Sequence, residues 1–172
     1  MGIVQVESHP PRARAMLAAV LGPRTTVLES DVALVAARTA LAWIFIYHGS
    51  GKLFGWFHEP GLHAWSLYFS TTAHLHPGGL FAVLAGITEL GGGIALALGI
   101  GARLAGIALF GDMVIAMITV TWATGIASGT TTPGYELNLA LGVLALVVAF
   151  FGAGRFSLDA LVARRLRQPK SA

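Results

Sequence analysis

The amino-acid sequence predicts an all-α fold: an integral membrane four-helix bundle with an amphipathic interfacial helix in the first outer loop. Three observations predict it. Of the 172 residues, 55% are hydrophobic and only 11% charged, with a mean hydropathy of +0.73, whereas a soluble domain usually carries about 25% charged residues. Four apolar stretches approach or exceed the roughly 20 residues needed to cross a hydrocarbon core of about 30 Å. Outside those stretches, lysine and arginine fall on one side of the membrane if the chain crosses four times. An ordinary water-soluble enzyme and a disordered chain are both excluded. The net charge of +3 does not point to nucleic acid, because the basic residues flank apolar spans and read as topology signals. The absence of cysteine excludes thiolate and disulfide chemistry and Cys-ligated clusters on this chain, so dithiol quinone reductases are not models for it.

Residues 1–30 hold Pro10, Pro11 and Pro23 and a short apolar run at 16–21, with no convincing signal-peptide cleavage site. They are expected to form a cytoplasmic N-terminal tail with room for a surface helix. The transmembrane domain is expected over residues 31–154, with spans at 32–54, 80–100, 104–126 and 135–151, the last being short. A basic cytoplasmic tail follows at 155–172. Arg12, Arg14 and Arg24 precede span one, Arg103 joins spans two and three, and Arg155, Arg164, Arg165, Arg167 and Lys170 follow span four. Loops 55–79 and 127–134 contain neither Lys nor Arg, which places both termini in the cytoplasm.

The first outer loop carries the aromatic run GLHAWSLYFS at 61–70, just after Trp56 and Phe57. It is expected to form an interfacial helix in an aromatic belt, with a lid packed over the bundle as the alternative. In span two, Gly91, Ala95 and Gly99, and likewise Gly93, Ala97 and Gly101, repeat small residues at spacing four. Such stripes let helices approach closely in lipid. They predict tight intramolecular packing, with a homo-oligomer face as the alternative.

Ionisable residues inside a membrane are costly and default to paired or functional roles. Arg38, His48 and Lys52 lie in span one, Glu89 in span two and Asp112 in span three, while Tyr135, Glu136 and Asn138 open span four. At 1.5 Å per residue from the cytoplasmic end, Arg38 lies roughly 9 Å deep, Asp112 roughly 12 Å, Glu89 roughly 17 Å and His48 roughly 24 Å. The depths predict an Arg38–Asp112 ion pair, a Lys52–Glu136 pair near the outer surface, and His48 approaching Glu89. Two permanent cations face three carboxylates, so a proton or a bound cation must complete the charge balance. A proton shared by His48 and Glu89 fits a quinone site and equally a structural hydrogen bond. The loop residues His58, His63, His74 and His76 show no metal-ligand spacing, so no metal site is expected. His48 alone among the histidines lies in a span, which does not provide for bis-His haem.

Arg38, the run YHGSGKLF at 47–54, Glu89-Leu90-Gly91-Gly92, Gly99, Arg103, Gly134-Tyr135-Glu136 and the closing GRFSLD at 154–159 together resemble the DoxX family of small bacterial inner-membrane proteins. The resemblance covers about residues 32 to 160. It implies a four-helix membrane bundle and a bacterial inner-membrane location. It marks Arg38, His48, Lys52, Glu89, Arg103 and Glu136, whereas Asp112 rests on depth alone. The related DoxD proteins form the membrane subunit of a thiosulfate:quinone oxidoreductase, and other relatives are linked to oxidative-stress complexes or to redox-enzyme maturation.

The resulting expectation is a redox-associated membrane subunit with an intramembrane pocket for a quinone or a similar apolar ligand. His48 and Glu89 would exchange protons as catalytic groups. Lys52, Glu136, Tyr135, Asn138 and Trp56 would contact the ligand, and a protein partner carrying redox centres would supply electrons. The alternative is a non-catalytic anchor or assembly subunit of a respiratory or oxidative-stress complex, its polar seam holding helices in register. A weaker third reading is a proton or small-solute pathway.

Overall fold

The computed structural model describes residues 16, 26–127 and 134–167. The expected N-terminal tail lies outside these residues apart from Met16 and the stretch from Thr26 onward, as does most of the second outer loop. Among the described residues the chain is helical throughout, without strands.

Helix α1 spans Val27–Phe54. It starts at a capping box in which Thr26 accepts from the Glu29 N–H at 3.2 Å and the Glu29 carboxylate accepts from the Thr26 N–H at 2.7 Å. It stops at Gly55, whose φ of 70° is left-handed. Helix α2, Gly61–Thr71, follows a short turn, and α3 covers Gly78–Leu98. Helix α4 covers Ala102–Ala116 and continues through a π-helical stretch, Met117–Thr121, and a 3-10 turn, Trp122–Thr124. Helix α5 spans Glu136–Phe151 and α6 spans Leu158–Arg167.

Among the described residues three runs are long and apolar enough to cross a membrane: α1, α3 and Ala102–Thr124. Helix α5 is a shorter apolar helix of 16 residues. At 1.5 Å per residue it reaches about 24 Å, short of a hydrocarbon core of about 30 Å. Contacts run from α1 to α3, α3 to α4, α4 to α5 and, more thinly, from α5 back to α1. Leu41, Phe45, Leu96, Leu109 and Val148 are fully buried at the centre of this arrangement. Trp43, Leu104, Ile118, Phe150 and Phe151 point outward and are more than half exposed, an apolar exterior suited to lipid rather than water.

Close approach of α1 and α3 is set by glycine. A Cβ on Gly49 would collide with the Leu90 backbone N and lie 2.9 Å from the Gly86 carbonyl. Gly93 packs on Ile46 and Ala42 less tightly, a Cβ there lying 3.0 and 3.2 Å from them. The expected small-residue stripes are therefore only partly used: Gly93 and Gly99 meet neighbours, while Gly91 and Gly101 face open space. Helix α2 lies on α3 through Phe69, Ala73 and Ala82, with Trp65 and Tyr68 half-buried beside them.

The end of the molecule where α1 begins is closed by a polar clasp. The buried Asp31 carboxylate accepts from the Arg155 N–H at 2.9 Å and from the Arg155 guanidinium. Asp159 accepts from the N–H groups of Gly101 and Ala102 at 2.9 and 3.2 Å, satisfying the first turn of α4. Arg103 donates to the last carbonyls of α5, Ala149 and Phe150, at 3.2 and 2.6 Å.

Arg38 belongs to this clasp, which corrects the expected Arg38–Asp112 pair. Its Nη2 donates to the Phe156 carbonyl at 3.0 Å, and Asp159 acts on it electrostatically. Gly99, with φ of 66°, has no Cβ where the Arg38 guanidinium passes. The clasp draws Arg38 toward the C-terminal segment and away from α4's middle turns, where Asp112 sits.

Candidate functional site

Lys52, in the last turn of α1, reaches Glu89 on α3. Its ammonium lies 2.8 and 2.7 Å from the two carboxylate oxygens, and both side chains are buried. The Gly49 contact explains this pairing. With Gly49 pressed on α3, Lys52 at i+3 shares that face, whereas His48 is turned by about 100°. His48 therefore does not meet Glu89; its Nδ1 lies 3.6 Å from Glu59 Oε1 in the turn after α1. The predicted Lys52–Glu136 pair is likewise replaced, because Glu89 takes both carboxylate contacts of Lys52.

Asp112 on α4 completes the cluster, close enough to Glu89 and Lys52 to interact electrostatically with both. Its Oδ2 is buried without a hydrogen-bond partner among the described residues. Above the ammonium stands Trp65 of α2, its ring centroid 4.8 Å from Lys52 Nζ, a cation–π distance. The Trp65 Nε1–H is also buried and unpartnered among the described residues. A carboxylate pair thus meets one ammonium in apolar surroundings, where unpaired charge is expensive.

These side chains line a half-open cavity of about 610 Å³ between α1, α2, α3, α4 and α5. Its wall is mostly apolar, with Phe45, Phe69, Phe81 and Leu141, and its polar part includes His48, Lys52, Glu89, Asp112, Thr121 and Asn138. Asn138 Nδ2 donates to Thr121 Oγ1 at 3.1 Å. Thr121 ends the π-helical stretch of α4, a departure from regular helix that recurs at binding sites.

Among the sequence-predicted site residues, the structure brings His48, Lys52, Glu89, Asp112 and Asn138 to this cavity. Trp56, Tyr135 and Glu136 do not line it. Trp56 follows the left-handed Gly55 in an exposed turn and tilts against Phe54. Tyr135 stacks on Trp122, with centroids 5.4 Å apart. The aromatic wall comes from Trp65 instead, which the sequence places in the aromatic helix but does not aim. Thr121, Glu59, Asp31 and Asp159 were also missed. Asp159 lies inside the GRFSLD motif, and Asp31 immediately precedes the expected start of span one. Among the described residues no three His, Asp or Glu side chains gather as a metal ion would need.

A family model described as DoxX matches residues 33–122. No curated protein and no solved structure matches the chain.

Proposed function

This chain belongs to the DoxX family, and from that premise we propose that it is a redox-associated membrane subunit whose cavity holds the ring of a quinone or a similar apolar ligand. The carrying observation is the pair of buried, unpartnered polar groups on residues lining one apolar cavity: Asp112 Oδ2 and the Trp65 N–H. Buried polar groups without partners are uncommon and costly. A flat ligand with oxygen substituents satisfies both, accepting from Trp65 and exchanging a hydrogen bond with Asp112. The aromatic and aliphatic wall accommodates the ring and an isoprenoid-like tail.

In this reading a proton between Glu89 and Asp112 balances Lys52, and that proton is available to a ligand whose reduction consumes protons. His48, at the cavity wall with Glu59 behind it, exchanges protons with the outer surface. Electrons come from a partner protein carrying redox centres. We further propose that α1, α3, α4 and α5 cross the bacterial inner membrane as a four-helix bundle with both termini cytoplasmic, and that α2 lies at the outer interface. The one-sided distribution of Lys and Arg supports that orientation.

The test is thermal unfolding of the detergent-purified chain with a short-chain ubiquinone. Quinone is expected to raise the midpoint of the wild type, and Asp112→Asn and Trp65→Phe each to weaken apparent affinity about tenfold, the equivalent of one lost hydrogen bond. Absence of any shift in the wild type, or shifts in both variants as large as that of the wild type, contradicts the proposal. Capture of the same partner by all three proteins with no co-extracted ligand would instead establish the anchor reading.

A further inference from the structure

Helix α6 carries more than a topology signal. At about 100° per residue, Leu158, Leu161, Val162 and Leu166 share one face, and they are 40, 45, 55 and 81% exposed. The opposite face borders a shallow cleft, lined by Asp159, Ala160, Ala163 and Arg167 together with Gly101, Arg103 and Gly152, in which Ala160 is half-buried and the other three helix residues stay exposed. Arg164 and Arg165 are fully outward, with Arg165 inside the apolar arc and Arg164 beside it. The clasp fixes this presentation, because Asp159 is bonded to the start of α4 and the Asp159 N–H donates to the Gly99 carbonyl at 2.9 Å. Helix α6 is thus held at the end of the transmembrane helices with an apolar stripe and arginines both turned away from the chain.

We propose that this face of α6 docks on the anionic leaflet of the chain's own membrane. The leucines and valine enter the headgroup and acyl boundary, while Arg164 and Arg165 extend their guanidinium groups to lipid phosphates. The charge complementarity decides the occupant. An apolar stripe alone fits any hydrophobic partner, but arginines within and beside it fit a surface that is apolar beneath and negative on top. Each basic residue near such a surface adds to the attraction. This inference is independent of the cavity and of what it binds.

The chain has no cysteine, so Leu166→Cys gives a unique site for an environment-sensitive fluorophore. The labelled full chain is reconstituted into liposomes of phosphatidylcholine alone or mixed with phosphatidylglycerol, and Ala160→Cys, half-buried at the cleft, serves as the control on the opposite face. With phosphatidylglycerol, the Leu166→Cys label should shift to the blue and be quenched by spin-labelled lipid. Adding Arg164→Gln and Arg165→Gln, or raising the salt concentration, should reduce that quenching about threefold. Equal quenching by aqueous iodide in both lipids overturns the proposal. So does equal lipid quenching in both, which removes the anionic preference, and so does protection from both quenchers, which signals a second copy covering the face.

Discussion

At Lys52 one ammonium serves two carboxylates, so the balance of the cluster depends on that side chain more than on either acid. Lys52→Met should cost about 3 to 5 kcal/mol, the range for leaving buried charge unpaired, read as a lowered unfolding midpoint in detergent. Combining it with Glu89→Leu should recover part of the loss, since the stranded charge is then gone. Additive losses would mean that the two side chains do not share one interaction. The ionisable residues of the cluster were legible in the sequence, because charges inside spans cannot be neutral to stability. Their pairing was not. Counting residues gives depth, but the rotation of α1 is set by where its backbone touches α3. Gly49 carries that information only once the neighbouring helix is in place, and so Lys52 rather than His48 meets Glu89.

Between elements, the same glycine makes a sharper prediction. Gly49→Ala places a methyl group against the Leu90 and Gly86 backbone, where no flexible side chain can yield. It should cost at least about 1 to 3 kcal/mol, and disturb the Lys52–Glu89 contact although it removes no polar group. An unchanged midpoint would show that α1 and α3 are less close than described. The apolar helices themselves were readable from hydropathy to within about five residues, three of them long enough to cross a bilayer among the described residues. Helix α2 was foreseen as a helix, but its seat on α3 depends on Phe69 and Ala82 finding each other across a turn. Asp159 was hidden for another reason: it caps α4 from far along the chain, so no local N-cap signal precedes Ala102. Asp159→Ala should cost about 1 kcal/mol, in the range of a lost helix cap, while leaving quinone affinity unchanged. A large loss of affinity in that variant would mean that the clasp and the cavity are not separate.

The whole molecule divides its polar residues between two places. At one end, Asp31, Arg38, Arg103, Arg155 and Asp159 tie the helix termini together. Deeper inside, Lys52, Glu89 and Asp112 face a cavity and leave hydrogen-bonding capacity unused. The sequence presents these residues as one continuous seam, because a list of membrane-embedded charges does not distinguish a side chain that fastens from one that is available. Trp65 offers the most direct way to ask whether the second group receives a ligand. It is one of four tryptophans, and replacing Trp43, Trp56 and Trp122 by Phe leaves it as the sole indole reporter. Titration of that protein with a short-chain ubiquinone should quench Trp65 fluorescence saturably, and Asp112→Asn should move the midpoint about tenfold higher. Quenching that rises linearly without saturation, and equals that of a chain retaining only the lipid-exposed Trp43, would contradict the account.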